Sequence, residues 1–164
     1  MEGRKKTASG DLSSGRTAEE WMDLALCQAK KAYSAGEVPV GAVVARKNEI
    51  LSKAFNQTEQ KKDHTAHAEL LAIQAAEQRI GDSLSECTLY VTMEPCPMCL
   101  GAALNARVKR IVFGAYDERA GCCGSVVDFA SGWFPQSTEV IGGVKEKECI
   151  NLLKGFFEKQ RIKD

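Results

Sequence analysis

Residues 88–99, TLYVTMEPCPMC, run from an apolar, β-branched segment into two cysteines that are separated by two residues. Residues 89–92 have the composition of a buried β-strand, and Pro95 suits the first turn of a helix that follows it. Cys96 and Cys99 are three positions apart, so one helical turn places both thiols on the same side of that helix. The dipole and free N–H groups of a helix start also stabilise thiolates. This stretch therefore predicts a strand that leads into a helix with two metal-binding thiols at its beginning.

A second motif, His67-Ala68-Glu69, begins an Ala/Leu-rich segment that we predict to be helical. A lone Cys-x-x-Cys could be a redox pair, but one imidazole and two thiolates together fill three positions of a tetrahedral zinc site. A structural site normally takes a fourth protein ligand, whereas a catalytic site leaves that position for water. We predict that His67, Cys96 and Cys99 hold one catalytic zinc ion per chain. Glu69 is placed to carry protons in catalysis.

Helical and strand patterns alternate along the rest of the chain. Thr17 and Glu20 form a capping box at the start of a helix that Gly36 ends, and Lys47-Asn48 forms a hairpin turn. The predicted elements are helices at 17–36, 67–79 and 149–161, strands at 38–45, 49–55, 89–92 and 108–114, and a polar loop at 56–65. This order predicts a three-layer α/β/α fold with a central mixed sheet and helices on both faces. Residues 1–16 are predicted to be a disordered tail, and residues 17–164 one domain.

Composition argues against several functional classes. The chain has 22 Lys and Arg residues and 22 Asp and Glu residues, so any affinity for nucleic acid must come from a local basic surface. No apolar run is long enough to span a membrane, and the basic start is not followed by the apolar segment of a signal peptide. The seven cysteines are therefore expected in the reducing cytoplasm, where such spacing indicates metal binding or catalysis more often than disulfides.

The zinc motifs are accompanied by further segments of a known family. These are residues 37–43 (EVPVGAV), 65–69 (TAHAE), 112–115 (VFGA) with Asp117, 124–125 (GS) and 152–157 (LLKGFF). Over about residues 21–161 the chain resembles the tRNA adenosine deaminases of the zinc-dependent cytidine deaminase superfamily. The resemblance implies a cytidine-deaminase-like fold and hydrolytic conversion of adenosine to inosine at the wobble position of tRNA anticodon loops. It also implies a homodimer with residues 98–106 near the interface, or a heterodimer with a related subunit in eukaryotes.

The resemblance also implies roles for residues outside the zinc motifs. Asn56 matches the position that contacts the flipped base, although it could instead be a turn residue. Asp117 matches a carboxylate that faces the target ribose and accepts a hydrogen bond from its 2′-OH, although it could cap a turn near Gly121. Val38 and Pro95 would shape the base pocket, or serve as a core residue and a helix start. The basic residues expected to contact RNA phosphates, unless they are only solvated charges, are Arg107, Lys109, Lys154, Lys159, Arg161 and Lys163.

Two rival functions remain open from the sequence. Guanine deaminases share much of the segment PCPMCLGA (95–102), so a deaminase of free guanine, cytosine or cytidine is the closest alternative. Asn105-Ala106-Arg107, the 114–117 segment and the basic C-terminal helix favour tRNA. The second rival is a zinc-bearing RNA-binding or partner subunit without catalysis, and the intact Glu69 argues against it.

The remaining cysteines and His64 are interpreted more simply. Cys27, Cys87 and Cys149 fall within or beside predicted elements and are expected in the core. Cys122-Cys123 is a candidate reactive pair, and it departs from the family pattern, as does the segment 131–135 (SGWFP). Both departures bear on RNA contacts in the C-terminal half. His64 is interpreted as a loop residue, because three ligands and a water already complete the zinc site.

Overall fold

The computed structural model describes residues 15–132 and 134–163. Residues 1–14 of the predicted disordered tail lie outside the described residues, as does Trp133. The last residue of that predicted tail, Arg16, donates its backbone N–H to Asn48 Oδ1 (3.1 Å), and its guanidinium lies 4.9 Å from the centroid of the Trp21 ring. Within the two described ranges, no helix combines the length and apolar character needed to cross a membrane.

Helices and strands alternate after an initial hairpin, as the sequence predicts. Along the described chain the elements are α1 (Ala18–Ser34), β1 (Gly41–Arg46), β2 (Glu49–Phe55), α2 (Thr58–Lys61), α3 (Ala68–Ile80), β3 (Cys87–Met93), α4 (Pro97–Asn105), β4 (Arg110–Ala115), β5 (Glu139–Ile141) and α5 (Glu146–Lys163). The capping box predicted at the start of α1 is present. The short helix α2 lies inside the predicted loop, and the sequence pattern did not predict β5.

The first strand begins later than predicted. The apolar run begins at Val38, but β1 begins at Gly41. Pro39 has no N–H to donate to a neighbouring strand, and the Val40 N–H instead bonds to the Val38 carbonyl oxygen (2.8 Å). Val38 therefore lies in a turn before the strand, where its side chain can face a pocket.

Two helix starts also differ from the predicted ones. Pro97, not Pro95, occupies the first turn of α4, so the interpretation of Pro95 as a helix start is wrong. The helix α5 begins at Glu146, three residues before the predicted start at Cys149. Acidic residues in a first turn interact favourably with the helix dipole, and apolar periodicity alone does not detect such a start.

The strands form one mixed sheet in the order β2-β1-β3-β4-β5. β1 is antiparallel to both β2 and β3, whereas β3, β4 and β5 run parallel. Parallel neighbours need a crossover connection, and α4 supplies it between β3 and β4. Because β1, β3 and β4 occupy the middle of the sheet, most of their side chains are buried.

Helices cover both faces of the sheet, which confirms the predicted three-layer α/β/α fold. α3 and α4 pack on one face through small residues such as Ala72 and Ala103. α1 and α5 pack on the other face through Met22 and Leu153. Burial of these apolar surfaces against the sheet is the main favourable term in forming the fold.

Gly41 allows α1 to lie very close to β1. A Cβ atom at position 41 would collide with the carbonyl oxygen of Ala25 and the backbone nitrogen of Ala29. Both are backbone atoms, so the collision is relieved only if the helix moves away from the sheet. Gly155 in α5 is different, because the nearest atom to a Cβ there would be the Tyr33 hydroxyl oxygen at 3.9 Å, an ordinary contact.

We therefore expect opposite effects from two glycine-to-alanine substitutions. Gly41→Ala should lower the free energy of unfolding by about 1–3 kcal/mol, the usual cost of overpacking. Gly155→Ala should raise it by roughly 0.5–1 kcal/mol, because alanine loses less backbone entropy in a helix. Urea unfolding of both variants measures the difference, and a Gly41→Ala protein as stable as the parent would contradict this account of α1 packing.

Candidate metal centre and adjoining pocket

The starts of α3 and α4 bring the two sequence motifs together. His67 is the N-cap residue of α3, with extended backbone. Cys96 is the N-cap residue of α4, and Cys99 follows in its first turn. Both helices lie on the same face of the sheet and contact each other. Residues that are distant in sequence therefore meet at adjoining helix N-termini.

His67, Cys96 and Cys99 form a compact donor group. His67 Nδ1 lies 3.7 Å from Cys96 Sγ and 3.5 Å from Cys99 Sγ, and the ligand atoms all lie within 4.8 Å of one another. Two ligands of one tetrahedral zinc, with bonds of about 2.1 Å to nitrogen and 2.3 Å to sulfur, are about 3.6 Å apart. The distances between the ligand atoms therefore fit a metal ion with tetrahedral coordination. His64 is exposed and lies outside this group.

The three groups of the donor group shift one another's pKa values, and Cys96 is the thiol whose pKa is lowered. Hydrogen bonds from Cys99 and His67 lower the pKa of the Cys96 thiol to about 4, against the opposing effect of burial. The same contact with Cys96 raises the pKa of His67. Bonding to Cys96 and burial raise the pKa of Cys99. A cation can displace protons from such a group, which is how metal binding couples to thiol ionisation.

Glu69 lies beside the donor group in the first turn of α3. Its side chain is 4% exposed, and this burial raises the pKa of the carboxyl group. The Cys99 thiol donates a hydrogen bond to Glu69 Oε2 (3.4 Å). A carboxyl group whose pKa is raised by burial holds a proton more readily than an exposed one, which makes it a candidate for proton transfer.

A cavity of about 220 Å³ opens next to these groups. It contains six of the side chains that the sequence singled out: Val38, Asn56, His67, Glu69, Cys96 and Asp117. Five further lining residues were missed by the sequence analysis: Val40, Thr58, Ala68, Met93 and Glu94. Pro95 and Cys99 are buried and are not among the lining residues. Of the missed residues, Glu94 had a usable signal, because it is a charged side chain inside the motif that carries the cysteines.

The amide of Asn56 is held in one orientation. Asn56 Nδ2 donates to the Val38 carbonyl oxygen (3.2 Å), and Asn56 Oδ1 accepts from the Thr58 N–H (3.4 Å). The neighbouring helix α2 is in turn held by the buried carboxylate of Glu37, which accepts the N–H groups of Glu59 (3.1 Å) and Gln60 (2.6 Å). Asn56 therefore has both a turn-forming contact and a place in the cavity wall.

Asp117 both caps a turn and lines the cavity. Its Oδ1 accepts the N–H groups of Arg119 (2.9 Å) and Ala120 (3.3 Å), and its carbonyl oxygen accepts the Gly121 N–H (2.9 Å). The side chain thus caps a turn. It also lines the cavity, so the turn holds a carboxylate at the pocket.

The predicted phosphate-binding residues do not form one surface. Lys154 and Arg161 line a surface depression of about 550 Å³ together with Arg119 and the exposed ring of Phe157. Lys159 lies elsewhere on α5, with its Nζ 5.1 Å from the centroid of the Tyr33 ring.

Other predicted basic residues lie away from this depression. Arg107 and Lys109 are exposed and follow the C-terminal end of α4, the end opposite Cys96. Lys163 is exposed at the end of α5.

All seven cysteines lie in the described part of the chain and are free thiols. Cys87 and Cys149 are buried, as expected, but Cys27 is exposed. The expectation of a core position for Cys27 is wrong, because it falls on the outward side of α1, between the buried residues Leu26 and Gln28.

Comparison with known proteins gives matches over most of the chain. The model of the MafB19-like deaminase family matches residues 16–161. The tRNA-specific adenosine deaminase of Bacillus subtilis (strain 168) is 44% identical over 147 residues, which are 88% of this chain and 91% of that protein.

Two solved structures are also similar. One, from a study of A-to-I editing by tRNA:A34 deaminases at the wobble position of transfer RNA, is 36% identical with a TM-score of 0.77, and the match covers 81% of this chain and 98% of that one. The guanine deaminase from Bacillus subtilis is also 36% identical, but the TM-score is 0.59 and the match covers 62% of this chain and 66% of that one. The match to this guanine deaminase therefore covers less of both chains than the match to the tRNA:A34 deaminase structure.

The lowered pKa of Cys96 predicts the pH dependence of its alkylation in protein freed of metal. A pKa of about 4 means that the thiolate predominates above that pH and is lost as the pH falls through it. Burial raises the pKa of Cys149 to about 12, so this thiol stays protonated near neutrality. Iodoacetamide at pH 6 should therefore modify Cys96 well before Cys149, as read by mass spectrometry, and bound zinc should protect Cys96.

A flat rate above pH 6 and a decline toward pH 4 would agree with this prediction. If the alkylation rate of Cys96 instead rose about tenfold per pH unit between pH 6 and 8, as for an ordinary thiol, the account of the donor group would be wrong.

Proposed function

This chain belongs to the MafB19-like deaminase family, and we propose that it converts adenosine to inosine at the wobble position of tRNA anticodon loops. The observation that supports this best is the meeting of a His/Cys/Cys donor group with a buried carboxyl group, Glu69, at one small cavity. Similarity to tRNA adenosine deaminases over most of the chain gives the substrate class.

We assign His67, Cys96 and Cys99 as the ligands of one zinc ion per chain. The nitrogen-to-sulfur distances of 3.7 and 3.5 Å support the assignment, as do the two thiols at a helix start. When bound, zinc would act as a Lewis acid and would lower the pKa of a water molecule to about 7, far below its ordinary value. The three protein ligands would leave room for that water.

Glu69 is assigned as the group that moves protons. It accepts a proton from the attacking water and delivers it to a ring nitrogen of the adenine, which makes C6 more electrophilic. The water oxygen forms a bond to C6. Glu69 then takes the remaining proton of that oxygen and passes it to the amino group, which leaves as ammonia when its bond to C6 breaks. One water is consumed and one ammonia is released, and the base that remains is hypoxanthine, the base of inosine.

The cavity suits one flipped base. Its volume of about 220 Å³ is below the roughly 300–1,000 Å³ of pockets for larger ligands, so the sugar and phosphates remain outside. Asn56 presents an amide whose orientation is fixed by Val38 and Thr58, and Val38 adds an apolar wall. Pro95 acts on the pocket indirectly, because its buried ring precedes the ligand Cys96. A base in a single-stranded loop costs little to unstack.

Asp117 is placed to recognise the ribose of the target nucleotide. It lines the cavity, and an ionised carboxylate can only accept hydrogen bonds. A ribose 2′-OH supplies the donor that deoxyribose lacks. A hydrogen bond to a charged group contributes about 1.5–3 kcal/mol, or roughly tenfold to a hundredfold in selectivity.

The depression around Phe157 is proposed to hold the RNA backbone near the pocket. Lys154, Arg161 and Arg119 supply three positive charges beside an exposed aromatic ring, and Glu158 supplies one negative charge, so the lining carries a net positive charge. Arg119 is two residues from Asp117, so the surface and the pocket share one loop. Cations beside an aromatic ring are a typical surface for single-stranded nucleic acid.

The main alternative substrate is a free base such as guanine. The identity of 44% to a tRNA-specific adenosine deaminase over 88% of this chain favours the tRNA substrate, and a free base would not use the basic depression on α5. The tRNA assignment explains both the site and this surface.

We also propose that the protein acts as a homodimer in the cytoplasm. The outward side of α4 includes the partly exposed residues Met98, Gly101 and Ala102, which would let a second helix approach closely. A related but different subunit could occupy the same surface. The seven free thiols are typical of a reducing compartment.

Replacing Glu69 tests the proposed chemistry. The parent protein, incubated with an anticodon stem-loop RNA that has adenosine at the wobble position, should produce inosine, as measured by nucleoside mass spectrometry. Glu69→Gln should lower kcat by about a hundredfold or more, because the proton carrier is removed, while about one zinc per chain is retained. His67→Ala should lose both the metal and the activity. If Glu69→Gln lost its zinc as well, Glu69 would be a ligand and its assignment would be wrong.

The basic depression makes a separate prediction about salt dependence. Lys154→Gln and Arg161→Gln should each raise KM for the stem-loop and reduce the slope of log affinity against log salt by about one, as for a lost phosphate contact. Lys159→Gln is the matched control, because it lies on the same helix but beside Tyr33. An equal change in slope for all three variants would indicate general electrostatic attraction rather than this surface.

A further inference from the structure

We propose that Glu94 is a positioning residue that holds the loop of residues 117–125 against the pocket. The inference rests on the proposed function, because it assigns the residue that places Asp117 for the tRNA substrate. Glu94 follows β3 and comes two residues before the ligand Cys96. It is 2% exposed and lines the cavity.

Three backbone N–H groups of one loop converge on the Glu94 carboxylate. Its Oε2 accepts the N–H of Asp117 (2.9 Å). Its Oε1 accepts the N–H groups of Cys123 (3.2 Å) and Ser125 (3.1 Å). The two ends of the loop are thus fastened to one side chain. A carboxylate, which accepts hydrogen bonds through both oxygens, suits three backbone N–H donors.

Gly121 lets the middle of the loop lie directly on this carboxylate. A Cβ atom at position 121 would collide with Glu94 Oε2 and lie 2.5 Å from the Asp117 carbonyl oxygen. The φ angle of Gly121 is not in the left-handed region, so the requirement for glycine is the close approach alone. Glycine at position 121 is therefore required because the Glu94 carboxylate lies against it.

Pro95, which lies between Glu94 and the predicted metal ligand Cys96, also bonds to the loop. The Pro95 carbonyl oxygen accepts the Cys122 N–H (3.1 Å) and the Cys122 thiol (3.2 Å). Residues 94 and 95 thus hold the loop, and residue 96 is a predicted metal ligand. The distance between Asp117 and the metal centre is therefore set by one short segment that touches both.

This geometry assigns Glu94 a role that differs from Glu69. Both oxygens of Glu94 accept N–H groups of the loop. The carboxylate therefore holds the loop in place and does not act on the reacting base. Loss of the carboxylate should free the loop and weaken substrate binding, while the chemistry beside Glu69 continues. The effect should therefore be on KM more than on kcat.

Glu94→Gln tests whether the carboxylate holds the loop. The change keeps the size of the side chain but replaces one acceptor oxygen with an NH₂ group, which cannot accept a hydrogen bond from a backbone N–H. We expect KM for the anticodon stem-loop to rise about tenfold or more, kcat to change less than threefold, and zinc content to stay at about one per chain. Hydrogen exchange of the Asp117, Cys123 and Ser125 amides should accelerate. Gly121→Ala, which displaces the loop from an intact Glu94, should shift KM and the same amides in the same direction.

Leu153→Ala is the control for a general loss of stability, since Leu153 packs on the opposite face of the sheet. It should lower Tm without raising KM. The proposal is overturned if Glu94→Gln lowers Tm and leaves KM and the three amides unchanged, or if Gly121→Ala leaves both unchanged. If the parent protein makes no inosine, the proposed function fails. The amide exchange of the same variants then still decides whether Glu94 holds the loop.

Discussion

The meeting of two helix N-termini is the constraint on which the site depends. His67 begins α3 and Cys96 begins α4, and the ends lie close enough for His67 Nδ1 to be 3.7 Å from Cys96 Sγ. The helices can approach because alanines such as Ala72 and Ala103 fill the space between them and the sheet. Helix dipoles then favour ionised thiols at the point where a cation would bind. The packing of small side chains thus brings the three metal-ligand side chains into a defined geometry.

Two buried carboxylates form the frame around this centre. Glu37 accepts N–H groups of α2 and so fixes the wall that carries Asn56. Glu94 accepts N–H groups of the opposite loop and so fixes the wall that carries Asp117. Glu37 and Glu94 each lie in a motif whose apolar or metal-binding residues give the stronger sequence signal. A buried carboxylate that accepts several backbone N–H groups is costly to replace. Glu94 lines the cavity itself, and Glu37 acts on it through α2.

Sequence patterns predicted the elements that carry their own local signal. The capping box at Thr17, the hairpin turn at Lys47-Asn48 and the helix starting at His67 all have residues that favour one backbone geometry. β5 has three residues and a half-exposed pattern, so only pairing with β4 makes it a strand. The helix α2 has four residues, and its N-terminal N–H groups are held by Glu37, which lies outside the helix. Such elements depend on contacts with residues far along the chain, which periodicity does not report.

The sequence by itself was enough to predict the chemistry: residue types and spacing at His67-Ala68-Glu69 and at Cys96 and Cys99 predict metal ligands and a proton carrier, because such roles depend on functional groups. Tertiary structure decided which remaining residues share the site. It placed Asn56 and Asp117 in one cavity and grouped Lys154 and Arg161 with Arg119. It separated Lys159 from that surface and revealed Glu94 as the anchor of the pocket loop. These relations depend on how strands and helices pack in three dimensions, and a linear pattern contains no distance between residues that are remote along the chain.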